Sequence, residues 1–110
     1  MPFIRIVHNA GSDKTELLAS AISKTTASAL GKPEMYVCVD CNNNSSLLFG
    51  GNNDGAAMIQ VQSIGGNCSK VCEALTNTTA SILGIDTNRI FINFQSFTAS
   101  EWGMNGSTFG

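Results

Sequence analysis

Thr25-Thr26-Ala27-Ser28-Ala29-Leu30-Gly31 returns as Thr78-Thr79-Ala80-Ser81-Ile82-Leu83-Gly84, with six of the seven positions identical. The offset of 53 residues, from Thr25 to Thr78, is about half of the 110-residue chain. Each copy closes on glycine, the residue that most readily takes the left-handed conformation ending a helix. Each is followed by a short loop and a strand-like segment, Met35 to Val39 in the first half and Ile90 to Phe94 in the second. The matching contexts make the two stretches copies of one structural unit.

The residues ahead of each copy complete that unit. Phe3 to Val7 reads as an apolar strand, and Ser12 or Asp13 can cap the helix that follows. Asp13 and Glu16 have the spacing of a capping box. Leu17, Leu18, Ala21, Ile22, Thr25 and Ala29 then recur at helical spacing. In the second half, Ala57, Ile59, Val61 and Ser63 alternate with Met58, Gln60, Gln62 and Ile64, a strand pattern ended by Gly65-Gly66. A helix from Ser69 to Leu83 is expected to bury Val71, Leu75 and Ile82, with Cys72 and Thr79 alongside. A short strand at Leu47-Leu48-Phe49 is expected between the Asn-rich loop Asn42 to Ser46 and Gly50-Gly51.

Two β-α-β units, about residues 1–50 and 54–110, predict one α+β domain spanning 1–110: a four-stranded mixed sheet with both helices on one face. The other face is read as largely apolar or aromatic, so the domain should associate, and cyclic closure of three sheets into a central barrel is one way to do so. A chain of this length buries roughly 65% of its unfolded surface, enough for a core without staples.

Charged residues make up only 13% of the chain against 43% hydrophobic, with a net charge of −2. Six Lys plus Arg, scattered, form no basic stripe, which argues against nucleic-acid binding. No apolar run approaches the roughly 20 residues of a membrane helix. The chain shows no basic n-region with an apolar stretch, so a cytoplasmic location is expected. Cys38, Cys41, Cys68 and Cys72 are then read as free structural thiols. Their spacing does not make the paired knuckles of an all-cysteine zinc site, and no metal or cofactor is expected. His8 is read as a surface residue at a strand end.

Met1-Pro2 runs directly into the first strand. Proline is tolerated at the first residue of a strand because it cannot donate to the ladder. An initiator methionine before a small residue is commonly trimmed, which would leave Pro2 as a terminal secondary amine. In an apolar site its conjugate acid loses proton affinity, and the amine can act as a base near neutral pH.

Taken in order, Met1-Pro2, Gly31-Lys32-Pro33, Phe49-Gly50-Gly51, Ser63-Ile64-Gly65, Asn88 to Phe94 and the ending Trp102 to Phe109 resemble the macrophage migration inhibitory factor family. The resemblance covers the whole chain. It implies a homotrimer of the tautomerase superfamily and keto–enol tautomerase activity on phenylpyruvate-like and dopachrome-like substrates. In animals it also implies a cytokine role. The alternative it carries is a cytokine mimic that binds a host cell-surface receptor and keeps a vestigial pocket. Release from the cell without a signal peptide is also implied. Residue by residue, Pro2 would be the base, Lys32 the substrate-carboxylate anchor and Ile64 a backbone donor, while Asn93 would reach in from an adjacent subunit. Phe91 stands where the family often has tyrosine, Met104 where many members have tryptophan, and Trp102 where a smaller residue is common. Phe109 would close the pocket. Some members carry C-x-x-C just after the Gly-Gly loop, linked to thiol–disulfide activity. Here that stretch, Asp54 to Ile59, has no cysteine, so that activity is not carried over.

Overall fold

The computed structural model describes residues Met1–Gly110, and each half of the chain folds as strand, helix, strand. The elements are β1 (Phe3–His8), α1 (Thr15–Leu30), β2 (Cys38–Asn43), β3 (Ala57–Ser63), α2 (Cys68–Leu83) and β4 (Ile90–Ser96). A small hairpin of β5 (Gly103–Met104) and β6 (Ser107–Thr108) ends the chain. Moved along by the repeat offset, α1 lands on α2 residue for residue. The 3-10 turn Glu34–Tyr36 likewise lands on Thr87–Arg89. The sheet order is β2-β1-β3-β4, with β1 and β3 antiparallel at the centre and each parallel to its own partner at the edge. This is the mixed four-stranded sheet that two right-handed β-α-β units produce.

Alternation along the strands sends Ile4, Ile6, Ala57, Ile59 and Val61 into a core under the helices. Leu18 and Ile22 from α1, and Val71, Leu75 and Leu83 from α2, meet them at helical spacing. The helices touch along the symmetry of the repeat. Thr25 Oγ1 lies 3.3 Å from Thr78 Oγ1, its counterpart in the other copy. One residue on, Thr26 and Thr79 are fully buried and neither hydroxyl has a hydrogen-bond partner.

Several local expectations are corrected. α1 turns so that Leu18, Ile22 and Thr26 are buried, while Leu17 is 61% exposed. In α2, Leu83 is fully part of the core and Ile82 only packs against it. The Asp13–Glu16 capping box does not form, because Ser12–Lys14 is a 3-10 turn leading into α1 without a side-chain cap. α2 instead has Asn67 as its cap, accepting from the Lys70 N–H at 3.1 Å. The second strand begins at Cys38, after the 3-10 turn, and runs on through Asn43. Leu47 to Phe49 forms no strand; Phe49 makes only a single bridge to Asn52. Arg89 holds this loop from below, donating to the carbonyls of Phe49 at 3.0 Å and Asp54 at 3.0 Å.

The open face of the sheet is more polar than its sequence suggested. Its middle row reads Asp40, Arg5, Gln60, Asn93 across the four strands, with Arg5 Nε donating to Asp40 Oδ2 at 3.1 Å. His8 is not at the surface. Its ring faces the core side with no solvent exposure, Nδ1 accepts the Ala10 N–H at 3.1 Å, and Nε2 pairs with Thr15 Oγ1 at 3.0 Å.

Candidate active site

The end of α1 positions the first functional side chain. Gly31 takes the left-handed conformation at φ 64°, which lets the Lys32 N–H donate to Ala27 O at 3.0 Å and the Gly31 N–H to Ser28 O at 3.3 Å. These two bonds make a Schellman ending. Lys32 then leaves the helix toward the end of β3. Its Nζ donates to the carbonyl of Ile64 at 2.9 Å and to Ser63 Oγ at 3.5 Å. Ile64, expected as a donor through its N–H, here acts through its carbonyl, which holds Lys32.

Lys32 borders a cleft of about 360 Å³ whose other walls are Met1, Pro33, Tyr36, Ile64, Ala99 and Phe109. The terminal α-amino group of Met1 sits there with its pKa lowered from 8.0 to about 6. Burial is the main cause, because it disfavours the charged form. Lys32 adds to the effect by hydrogen bonding to the free amine and by its positive charge. A lysine ammonium can donate to a neutral amine but not to another ammonium, so the neutral form is the one that fits. Pro2, the next residue, is less than 2% exposed, with its carbonyl accepting the Cys38 N–H at 3.0 Å. While Met1 is attached, the nitrogen of Pro2 is an amide.

A second recess of about 190 Å³ shares the wall formed by Met1, Tyr36 and Phe109. Met35, Val37, Cys38, Trp102, Gly103 and Met104 complete it. The C-terminal hairpin brings the last of these residues in. Asn105 and Gly106 both have positive φ, 55° and 82°, as a two-residue hairpin turn requires. The Phe109 N–H is shared between Ala99 O at 3.1 Å and Trp102 O at 3.0 Å, and the Trp102 ring stands edge-on to Phe97 at 5.5 Å.

Lys32, Ile64 and Phe109 thus gather around the chain terminus, with Trp102 and Met104 in the adjoining recess. Phe91 and Asn93 do not join them within one chain. Both lie on the open face of the edge strand β4, where Phe91 is 61% exposed and stacks on Phe49 at 4.6 Å. Tyr36, Met35 and Ala99 were missed from sequence. Tyr36 has a signal only in hindsight, as part of the turn that follows Lys32. The Asn105-Gly106 pair does announce a hairpin from sequence alone.

The duplication leaves a second cleft at the equivalent place in the other half, about 240 Å³, lined by Asp54, Gly55, Gly84, Ile85, Asp86 and Arg89. There the counterpart of Lys32 is Ile85, and Arg89 is committed to holding the loop. Only the first cleft has a chain terminus and an available cation.

The fold thus places a chain-terminal amine beside a lysine at the end of one half of a doubled β-α-β sandwich. The family model described as macrophage migration inhibitory factor (MIF) matches residues 1–110. A homologue of that factor from Brugia malayi is 36% identical over 115 residues, covering 100% of both chains. Among solved structures, the homologue from Prochlorococcus marinus superposes with a TM-score of 0.88 at 34% identity, covering 98% of this chain and 99% of that one. The factor from Trichinella spiralis gives 0.88 at 30% identity, with 97% and 99% covered. The chain belongs to the macrophage migration inhibitory factor family.

Proposed function

We propose that the protein is a keto–enol tautomerase for small aromatic keto acids of the phenylpyruvate type, with the Pro2 amine, freed by removal of Met1, as its general base. The observation that carries this reading is the chain-terminal amine held near 6 beside Lys32. A base that titrates near the working pH combines a populated free form with useful proton affinity. Loss of Met1 moves the free amine one residue along the chain, onto a proline that is buried. A prolyl amine starts higher than an ordinary α-amine, and the deeper position supplies more of the burial that lowers it.

In the reaction the neutral amine takes a proton from the carbon between the carbonyl and the aryl group. The electron pair moves into the carbonyl, and the enol oxygen is protonated; ketonisation runs the same steps in reverse. No external reagent is consumed. Lys32 pairs with the substrate carboxylate and disfavours a second positive charge on the amine until the proton arrives. The apolar recess of Trp102, Met104 and Phe109 receives the aryl group.

Asn93 and Phe91 contribute from a second copy of the chain in this reading. They are exposed on an unpaired edge strand and lie away from their own cleft, which supports a closed homotrimer. The test is Pro2→Gly, assayed for phenylpyruvate ketonisation after mass spectrometry of the N-terminus. A loss of kcat/KM with an unchanged oligomer is expected, because the primary glycyl amine that replaces the prolyl one is a weaker and less rigidly held base. Undiminished turnover would end the proposal.

A further inference from the structure

Arg89 is the repeat counterpart of Tyr36, and the two ends of the molecule use that position differently. Tyr36 lines the first cleft, whereas Arg89 reaches across to the loop that joins β2 to β3. Its Nε donates to Gly55 O at 3.4 Å and its Nη1 to Phe49 O at 3.0 Å. Its Nη2 donates to Asn52 Oδ1 at 2.8 Å and to Asp54 O at 3.0 Å. Every acceptor is neutral, and the ion pair of the fold, Arg5 with Asp40, lies elsewhere. The guanidinium carbon of Arg89 stands 4.8 Å from the centroid of the Phe49 ring, within cation–π range. Phe49 in turn lies 4.6 Å from the Phe91 ring at an interplanar angle of 34°, the spacing of a stacked aromatic pair. The contacts run in series from a fixed guanidinium, through a half-buried ring, to an exposed one.

The loop has little else to hold Phe49. It bridges only to Asn52, across the turn at Gly50 and Gly51, both of positive φ. Phe91 stands on the edge strand, and Phe49 is the one ring stacked on it. Released from Phe49, so exposed a side chain samples its other staggered rotamers. The planar fork of Arg89 matches several acceptors while its face meets the ring, which a lysine ammonium cannot do. We propose that Arg89 is a positioning residue for the reaction: through Phe49 it fixes the Phe91 ring as a wall against the substrate's aryl group, and so sets a preference for aryl over alkyl keto acids. This rests on the tautomerase reading above and on the entry of Phe91 into the cleft of a second copy. Arg89 touches no reacting atom, so its effect falls on KM and leaves the proton transfer itself unchanged.

The test compares trimmed wild type, Arg89→Gln, Arg89→Lys and Phe49→Leu in hydrogen–deuterium exchange at the carbon beside the keto group, followed by NMR. Phenylpyruvate is the aryl substrate and 2-oxohexanoate the alkyl one. In all three variants KM for phenylpyruvate should rise about 2- to 10-fold, the cost of ordering one side chain on binding. KM for 2-oxohexanoate, kcat and the pH midpoint of the reaction should stay as in the wild type. Phe49→Leu breaks the stack but leaves the four Arg89 hydrogen bonds to the loop available, so it decides the matter if the Arg89 variants fold poorly. Circular dichroism and gel filtration check fold and oligomer. A second readout needs no turnover: 4-fluorophenylalanine at Phe91 should give a fluorine signal that shifts and sharpens in Arg89→Gln and in Phe49→Leu. An unchanged aryl-to-alkyl KM ratio in well-folded Phe49→Leu, or a fluorine signal unmoved by Arg89→Gln, would overturn the proposal. A wild type that exchanges neither acid would instead refute the tautomerase reading and the substrate preference with it, while the fluorine signal would still decide whether Arg89 holds the ring.

Discussion

Replacing Lys32 by Gln tests how the cleft sets its amine. In the form that keeps Met1, the terminal amine falls from 8.0 to about 6, so at pH 7 about nine in ten molecules carry the free base instead of about one in ten. Burial contributes most, and Lys32 acts twice, by its hydrogen bond and by its charge. Each of those is smaller than the burial effect, so together they account for less than about two-thirds of the lowering. Lys32→Gln should therefore raise the midpoint while leaving it below about 7.5, because burial remains. The assay is the pH dependence of acylation of the terminal amine, read by mass spectrometry of the N-terminal peptide. A wild-type midpoint at 8, or a variant midpoint equal to that of the wild type, would refute the reasoning. In the trimmed enzyme the same substitution should also raise KM for a carboxylate substrate far more than for its methyl ester, measured by initial rates.

Three further outcomes follow from the core. His8 is held neutral by burial and by the Ala10 N–H on Nδ1, so its pKa lies below the usual 6.5. Its contribution to stability is complete above about 6.5 and lost as the pH falls through the lower folded value. Urea midpoints should drop between pH 7.5 and 5.5, and His8→Gln should flatten that drop; an equally steep drop in the variant would contradict the assignment. Thr26→Val and Thr79→Val remove buried hydroxyls that have no partner, and each should raise stability by about 1 kcal/mol in urea unfolding. Leu75→Ala empties a fully buried position between α2 and the sheet and should cost about 2–5 kcal/mol by the same measurement.

The repeat was legible because both copies carry the same helix ending, and Gly31 and Gly84 both adopt the left-handed conformation it requires. The strands β1 and β3 were legible because one face of each is buried and the period of two survives in the residues. The rotation of α1 was not. Small residues on all sides of that helix leave its apolar stripe poorly defined, and Thr26, like its twin Thr79, is a polar residue that the fold buries. His8 was misplaced because its burial depends on two partners, Ala10 and Thr15, that pair with it only once β1 and α1 are docked. In the site, Lys32, Ile64 and Phe109 could be named because the motifs around them, Gly31-Lys32-Pro33, Ser63-Ile64-Gly65 and Trp102 to Phe109, resemble those of the family. Tyr36 and Met35 could not, because what brings them to the cleft is a 3-10 turn where the sequence suggested the start of a strand.

The central claim is that the free amine of Pro2, and no other group, is the base. The direct measurement compares trimmed protein with protein carrying one extra residue ahead of Pro2, at equal concentration and verified N-terminal mass, in phenylpyruvate ketonisation at pH 7. Turnover confined to the trimmed form, with identical circular dichroism and oligomeric state for both, is the predicted result. Equal turnover by the two forms would contradict it.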